Sequence, residues 1–169
     1  MSVQIRPETA ADRTAVFGIN AAAFPTDAEA RLVDSLRASA DPCVSLVAVE
    51  DEDVVGHIMF TPVTLAPFDD LRLMGLAPMA VSPSVQRTGI GTELVNAGLQ
   101  RCGELGIGAV VVLGHPEYYP RFGFLPSTQW SIKSEYDVPE DVFMSLELSA
   151  DYLRDRHGII SYHAAFADV

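Results

Sequence analysis

One stretch in the middle of this 169-residue chain limits its folds more than any other: an irregular apolar strand, a glycine turn, a helix and a second apolar strand. The first strand, Leu71 to Val81, is broken by Gly75 and Pro78, which weaken a ladder and mark a bulge or a splayed strand. Gln86-Arg87-Thr88-Gly89-Ile90-Gly91 then leads into an amphipathic helix that begins at Thr92-Glu93-Leu94-Val95 and ends near Gly106. Ala109-Val110-Val111-Val112-Leu113 is apolar on both faces, the pattern of a buried parallel strand. Together these segments make a βαβ-like unit.

The flanking sequence adds antiparallel and helical pieces. Val3 to Arg6 alternates as a short strand that stops at Pro7, and Thr9-Ala10-Ala11-Asp12 has capping-box spacing before a helix ending ahead of Pro25. A second helix is expected from Asp27 to Ser39. Cys43–Glu50 and Val54–Val63, joined by Asp51-Glu52-Asp53, form a hairpin pattern, and Pro67-Phe68-Asp69-Asp70 reads as the loop before Leu71. Further on, a short helix over Glu117–Phe122 and strands over Val142–Leu148 and Gly158–Phe166 are expected, while Pro126–Asp141 carries no readable period.

Composition narrows the function classes. With 11 Lys+Arg against 23 Asp+Glu the net charge is −12, and one Lys and ten Arg form no basic cluster. Nucleic-acid binding is therefore not expected, because affinity for a phosphate backbone comes mainly from cations neutralising it. An acidic field instead attracts cations, amines included. The length suits one domain spanning 1–169, with no repeat or linker. No apolar run reaches the ~18–20 residues of a spanning helix, and Met1-Ser2-Val3-Gln4-Ile5-Arg6 lacks a signal-peptide layout, so a cytoplasmic protein with no membrane partner is expected. Cys43 and Cys102 lie too far apart in sequence to suggest a disulfide framework.

Gly89 and Gly91 stand where the first amides of a helix have no intrahelical partner. Such a start accepts a phosphate or pyrophosphate, with Arg87 and the hydroxyls of Thr88 and Thr92 as further donors. A glycine turn that merely shapes the chain remains the alternative. The dinucleotide fingerprint fails, since Leu94 occupies its third glycine position and Gly114-His115 stands where an acid should follow the next strand. A P-loop fails because the single lysine, Lys133, is far from the turn.

The segment Gln86-Arg87-Thr88-Gly89-Ile90-Gly91, following Leu76-Ala77-Pro78-Met79-Ala80-Val81, resembles the acetyl-CoA signature Gln/Arg-x-x-Gly-x-Gly/Ala of the GNAT N-acetyltransferases. Tyr119-Pro120-Arg121-Phe122-Gly123-Phe124 resembles that family's later Tyr-x-x-x-Gly-Phe motif. The two motifs stand in the family's order, one helix and one strand apart. The resemblance implies an α/β fold, a mixed central sheet flanked by helices, that binds acetyl-CoA and acetylates a primary amine. It also implies that Met79, Ala80 and Val81 meet the pantetheine arm and that Gln86, Arg87, Thr88, Gly89, Ile90, Gly91 and Thr92 surround the pyrophosphate. Tyr119 is the implied acid for the leaving thiolate, and its ordinary pKa of ~10 keeps it protonated at neutral pH. Dimers are frequent in such proteins, and a homodimer exchanging its final strand fits the pattern.

The base is less legible. No Asp or Glu follows Asp70 in the strand up to Val81, which leaves His57 and, second, Glu29 as candidates. Phe24, Glu29, Phe166 and Asp168 lie in the helix and C-terminal segments that form the acceptor pocket in proteins of this type, without identifying the acceptor. Gly114-His115-Pro116-Glu117 contains His-x-Glu but lacks a Pro-Cys-x-x-Cys partner, so no metal is expected. Cys102 reads as helix packing rather than a nucleophile. The alternative function is a non-catalytic acyl-CoA-binding sensor or regulatory module.

Overall fold

The computed structural model describes residues 3–169, apart from the side chain of Asp168. Met1 and Ser2, part of the N-terminal stretch considered above, lie outside the described residues. The strands are β1 (Val3–Pro7), β2 (Val44–Glu50), β3 (Asp53–Ala66), β4 (Phe68–Val81), β5 (Ala109–Leu113), β6 (Leu125–Pro126), β7 (Ile132–Ser134), β8 (Phe143–Glu147) and β9 (Gly158–Ser161). Among the described residues three α-helices accompany them: α1 (Arg13–Ala23), α2 (Ala28–Ser39) and α3 (Ile90–Glu104). The sheet runs β1-β2-β3-β4-β5-β8-β6, with β9 pairing the far end of β3 and carrying β7. Among the described residues only β4–β5 and β7–β9 are parallel, so the sheet is mixed.

The N-terminal capping expectation holds in substance. The Asp12 carboxylate accepts the Thr9 amide at 2.7 Å and the Arg6 guanidinium at 2.7 and 3.0 Å, and that guanidinium holds the carboxyl well below the usual carboxylate range. The cap opens a single 3-10 turn, Ala10–Asp12, before α1 begins. Helices α1 and α2 cover one sheet face through Val16, Leu32, Val33 and Leu36 against Val47 and Met59. Helix α3 covers the other through Leu94, Val95 and Cys102 against Ile58, Phe60 and Met74. At Gly98 a Cβ would collide with the Phe60 ring, so this close approach of α3 to β3 requires glycine.

Three expectations change. The loop over Pro67–Asp70 shrinks to Pro67, because β9 supplies ladder partners to Thr64, Leu65 and Ala66 and extends the hairpin. The last strand stops at Ser161 instead of continuing to Phe166. His163 Nδ1 accepts the Ala165 amide at 3.1 Å and turns the chain into a 3-10 turn, Ala164–Asp168, that packs Phe166 near α2. The Pro126–Asp141 region holds β7 and short 3-10 turns, all too brief to leave a period.

What positions the site is where the β4–β5 ladder ends. It joins Leu73, Met74 and Gly75 to Ala109, Val110 and Val111 and goes no further. From Leu76 to Val81, β4 keeps only β3 as a partner, with a register irregularity at Ala77-Pro78. The expected splay is therefore present.

Candidate active site

Beyond Gly75 the edge of β4 that faced β5 is left without a strand. Two cavities open on this gap and share Met79. One, of about 510 Å³, lies toward the start of α3; the other, of about 490 Å³, lies toward α2 and the C-terminal turn.

The first cavity is bordered by Met79, Val81, Gln86, Arg87, Gly89, Ile90, Gly91 and Thr92. Gly89, with φ of +91°, caps α3, and Arg87 has φ of +65°, so the turn coils its backbone ahead of the helix amides. A Cβ at Gly89 would meet no neighbour, so its glycine answers to backbone angle, whereas a Cβ at Gly91 would stand 3.3 Å from Tyr118 Oη and 3.6 Å from Met79 Cε. Two side chains read as ligand donors are bonded internally. Thr88 Oγ1 donates to Val85 O at 2.6 Å and Gln86 Nε2 to Val81 O at 3.0 Å, which ties the turn to the end of β4. Thr92 Oγ1 lies 3.1 Å from Tyr118 Oη. Arg87 stays exposed and makes no ion pair among the described residues.

Tyr118 and Arg121 also border this cavity, and the sequence motif by itself assigned no part in it to Arg121. The Arg121 guanidinium sits 4.2 Å from the Tyr118 ring centroid while its Nε donates to Tyr118 O at 2.8 Å. The motif containing Arg121 was the available signal, but only folding brings it to the cavity that Arg87 borders.

Tyr119 lines the second cavity on a 3-10 turn, Tyr119–Phe122, whose entry is shaped by the His115 carbonyl accepting the Tyr118 and Tyr119 amides. Its ring lies over Gly114, where any Cβ would clash with it. The residue is 7% exposed, and burial, helped by neighbouring Tyr118, pushes its pKa up to about 12. The hydroxyl has no hydrogen-bond partner among the described residues and keeps its proton at neutral pH. Phe24, Glu29, Tyr136, Tyr162 and Phe166 complete much of the wall, and His115 stands at its exposed margin. The Asp168 side chain lies outside the described structure.

His57 is not brought to this place. It is fully buried on β3, opposite Ala80, and lines neither cavity. Ser45 Oγ donates to Glu8 Oε1 at 2.9 Å, so His57 Nε2–H donates to Ser45 Oγ at 2.9 Å and Nδ1 accepts Asn20 Nδ2–H at 3.2 Å. Burial pushes its pKa down to about 4, leaving a neutral imidazole with both nitrogens committed. The reason a base assignment fails is geometric: the strand alternation that suited a catalytic histidine turns it toward α1. Cys102 is likewise buried, 3.6 Å from Met74 Sδ, with its pKa pushed up to about 12, which makes it packing. Among the described residues no group of three or more His, Cys, Asp or Glu is placed to hold a metal ion.

Comparison with known proteins agrees with this geometry. Residues 13–124 match the model of the acetyltransferase (GNAT) family. The N-acetyltransferase YhbS of Escherichia coli is 35% identical over 163 residues, which cover 96% of this chain and 97% of that one. The crystal structure of Escherichia coli YhbS in complex with CoA aligns with a TM-score of 0.92 at 34% identity, covering 98% of this chain and 92% of that one. A GNAT family acetyltransferase from Brucella melitensis, in complex with acetyl-CoA, aligns with a TM-score of 0.80 at 33% identity, covering 98% of each chain.

Proposed function

The chain belongs to the acetyltransferase (GNAT) family, and from that premise we propose that it transfers the acetyl group of acetyl-CoA directly to a primary amine. The observation that carries this reading is the end of the β4–β5 ladder at Gly75, beside the exposed glycine-rich start of α3. Similar proteins from Escherichia coli and Brucella melitensis bind CoA and acetyl-CoA on the same fold. The pyrophosphate sits on the amides of Arg87 to Gly91 at the positive end of α3. Arg87 and Arg121 supply cations from either side, local donors that act against the net charge of −12. The pantetheine arm pairs with the free edge of β4 at Met79, Ala80 and Val81 as an added strand.

With the arm so placed, the thioester lies at the gap bordered by Met79, where the acceptor cavity begins. A β4 amide near Met79 or Ala80 stabilises the oxyanion as the C–N bond forms, and collapse of the tetrahedral adduct breaks the C–S bond. The acceptor's ammonium first sheds one proton, which leaves to solvent, and after attack the adduct's nitrogen gives up a second, which ends on the departing thiolate as CoA thiol. Glu29 and His115 line this cavity and are the side chains able to take the first proton; His57 has no access. Tyr119 donates a hydrogen bond to the thiolate. Full transfer from a phenol near 12 to a thiolate near ~8.5 is uphill by about 5 kcal/mol, so the phenol works as a held donor rather than as a source of free proton.

The test is release of CoA thiol from acetyl-CoA across a panel of amines, paired with calorimetric binding of acetyl-CoA. Acceptor-dependent thiol release is expected. Tight acetyl-CoA binding with no release from any amine would favour the sensor alternative instead.

A further inference from the structure

Resting on the acetyl-transfer reading above, we infer that the acceptor is a small primary amine carried on an aromatic ring, bound as its ammonium beside Glu29. The second cavity, about 490 Å³, falls within the ~300–1,000 Å³ of small-molecule sites. One of its walls is a run of rings. Tyr136 and Tyr162 stack with centroids 5.6 Å apart and planes at 28°, and Phe166 follows Tyr162 at 5.4 Å. Phe24 and Tyr119 contribute rings from α1's end and the motif turn. Such a lining takes up a flat ring by offset or edge contact, and its π-faces favour a cation over an anion.

Charge gives the second half of the argument. Glu29 is the one acidic side chain in this lining among the described residues, and it has no ion-pair partner among them. Among the described residues the lining contains neither Lys nor Arg, and its one histidine, His115, stands at the exposed margin. An ammonium therefore finds a counter-charge, whereas an acceptor carboxylate or phosphate would be desolvated without one. The chain's charge of −12 points the same way at long range. Glu29 and the ring wall thus select an arylalkylamine over an amino acid or a plain aliphatic amine.

The experiment compares kcat/KM for phenethylamine, ethylamine, phenylalanine and a lysine-containing peptide at saturating acetyl-CoA. Phenethylamine is expected to lead each of the others by at least about tenfold. Tyr136 is 38% exposed, so Tyr136→Ala leaves the core intact. That variant should raise KM for phenethylamine roughly three- to tenfold and change the ethylamine KM by clearly less, a ring-selective difference that general loosening would not produce. Glu29→Gln should weaken phenethylamine binding and leave acetyl-CoA binding unchanged. Preference for ethylamine, phenylalanine or the peptide, or equal losses for both amines in Tyr136→Ala, overturns the inference while leaving acetyl transfer standing. If no amine releases thiol, calorimetry with phenethylamine alone decides: binding that Tyr136→Ala weakens sustains the cavity's assignment and removes the transfer reading, and absence of binding overturns the assignment.

Discussion

Lowering the pH should destabilise the fold through His57 by an amount the structure allows to be worked out. The imidazole is fully buried and neutral, with a pKa near 4 in the folded chain against ~6.5 when unfolded. Above pH ~6.5 both states hold it neutral and its contribution does not vary with pH. Between 6.5 and 4 the unfolded chain takes up a proton that the folded chain refuses, so stability falls as the pH falls, and below about 4 the loss is complete at about 3 kcal/mol. At pH 4.5 the His57 share is about 2.5 kcal/mol relative to neutral pH. Urea unfolding of the native chain and of His57→Gln at pH 7 and 4.5 isolates this share, since every other titrating group is common to both. Glutamine can donate to Ser45 and accept from Asn20, so the local network has a replacement. The variant is expected to lose about 2.5 kcal/mol less than the native chain over that interval. Equal losses in the two proteins, or an imidazole resonance of His57 titrating near 6.5, would refute the burial argument. His57→Gln should also leave the limbs of the kcat/KM pH profile where they are, because the histidine reaches neither cavity.

Tyr119→Phe removes a hydrogen bond to a developing charge and should lower kcat about 10- to 100-fold with little change in acetyl-CoA KM, as steady-state thiol release reads directly. Gly91→Val places branched carbon where even a Cβ is 3.3 Å from Tyr118 Oη, so acetyl-CoA affinity should fall by at least about tenfold in calorimetry while unfolding barely shifts. Arg87→Ala should raise the KM for acetyl-CoA, with the difference from the native protein shrinking as salt is added. Gly98→Ala drives a methyl into the Phe60 ring and should cost about 1–3 kcal/mol in urea unfolding.

Local pattern was enough to read the β4, α3 and β5 segments and the anion-accepting start of α3. Gly89 and Gly106 mark the ends of that helix with positive φ, a backbone demand visible in the residue type itself. Met79 to Val81, the glycine turn and Tyr119 were nameable because they sit at fixed offsets within contiguous motifs. The acceptor cavity was not, for its wall joins Phe24, Glu29, Tyr136, Tyr162 and Phe166 from segments far apart in sequence. Nor could strand periodicity say toward what His57 points, since alternation defines two faces but not which helix covers each. The sequence by itself determined the strand–turn–helix unit and its chemistry of anion binding, because those depend on backbone angles and helix-end amides set over a dozen residues. Only the tertiary structure decided which titratable groups face the gap and which are buried as neutral structure, because packing, not local propensity, assigns each side chain its neighbours and its solvent.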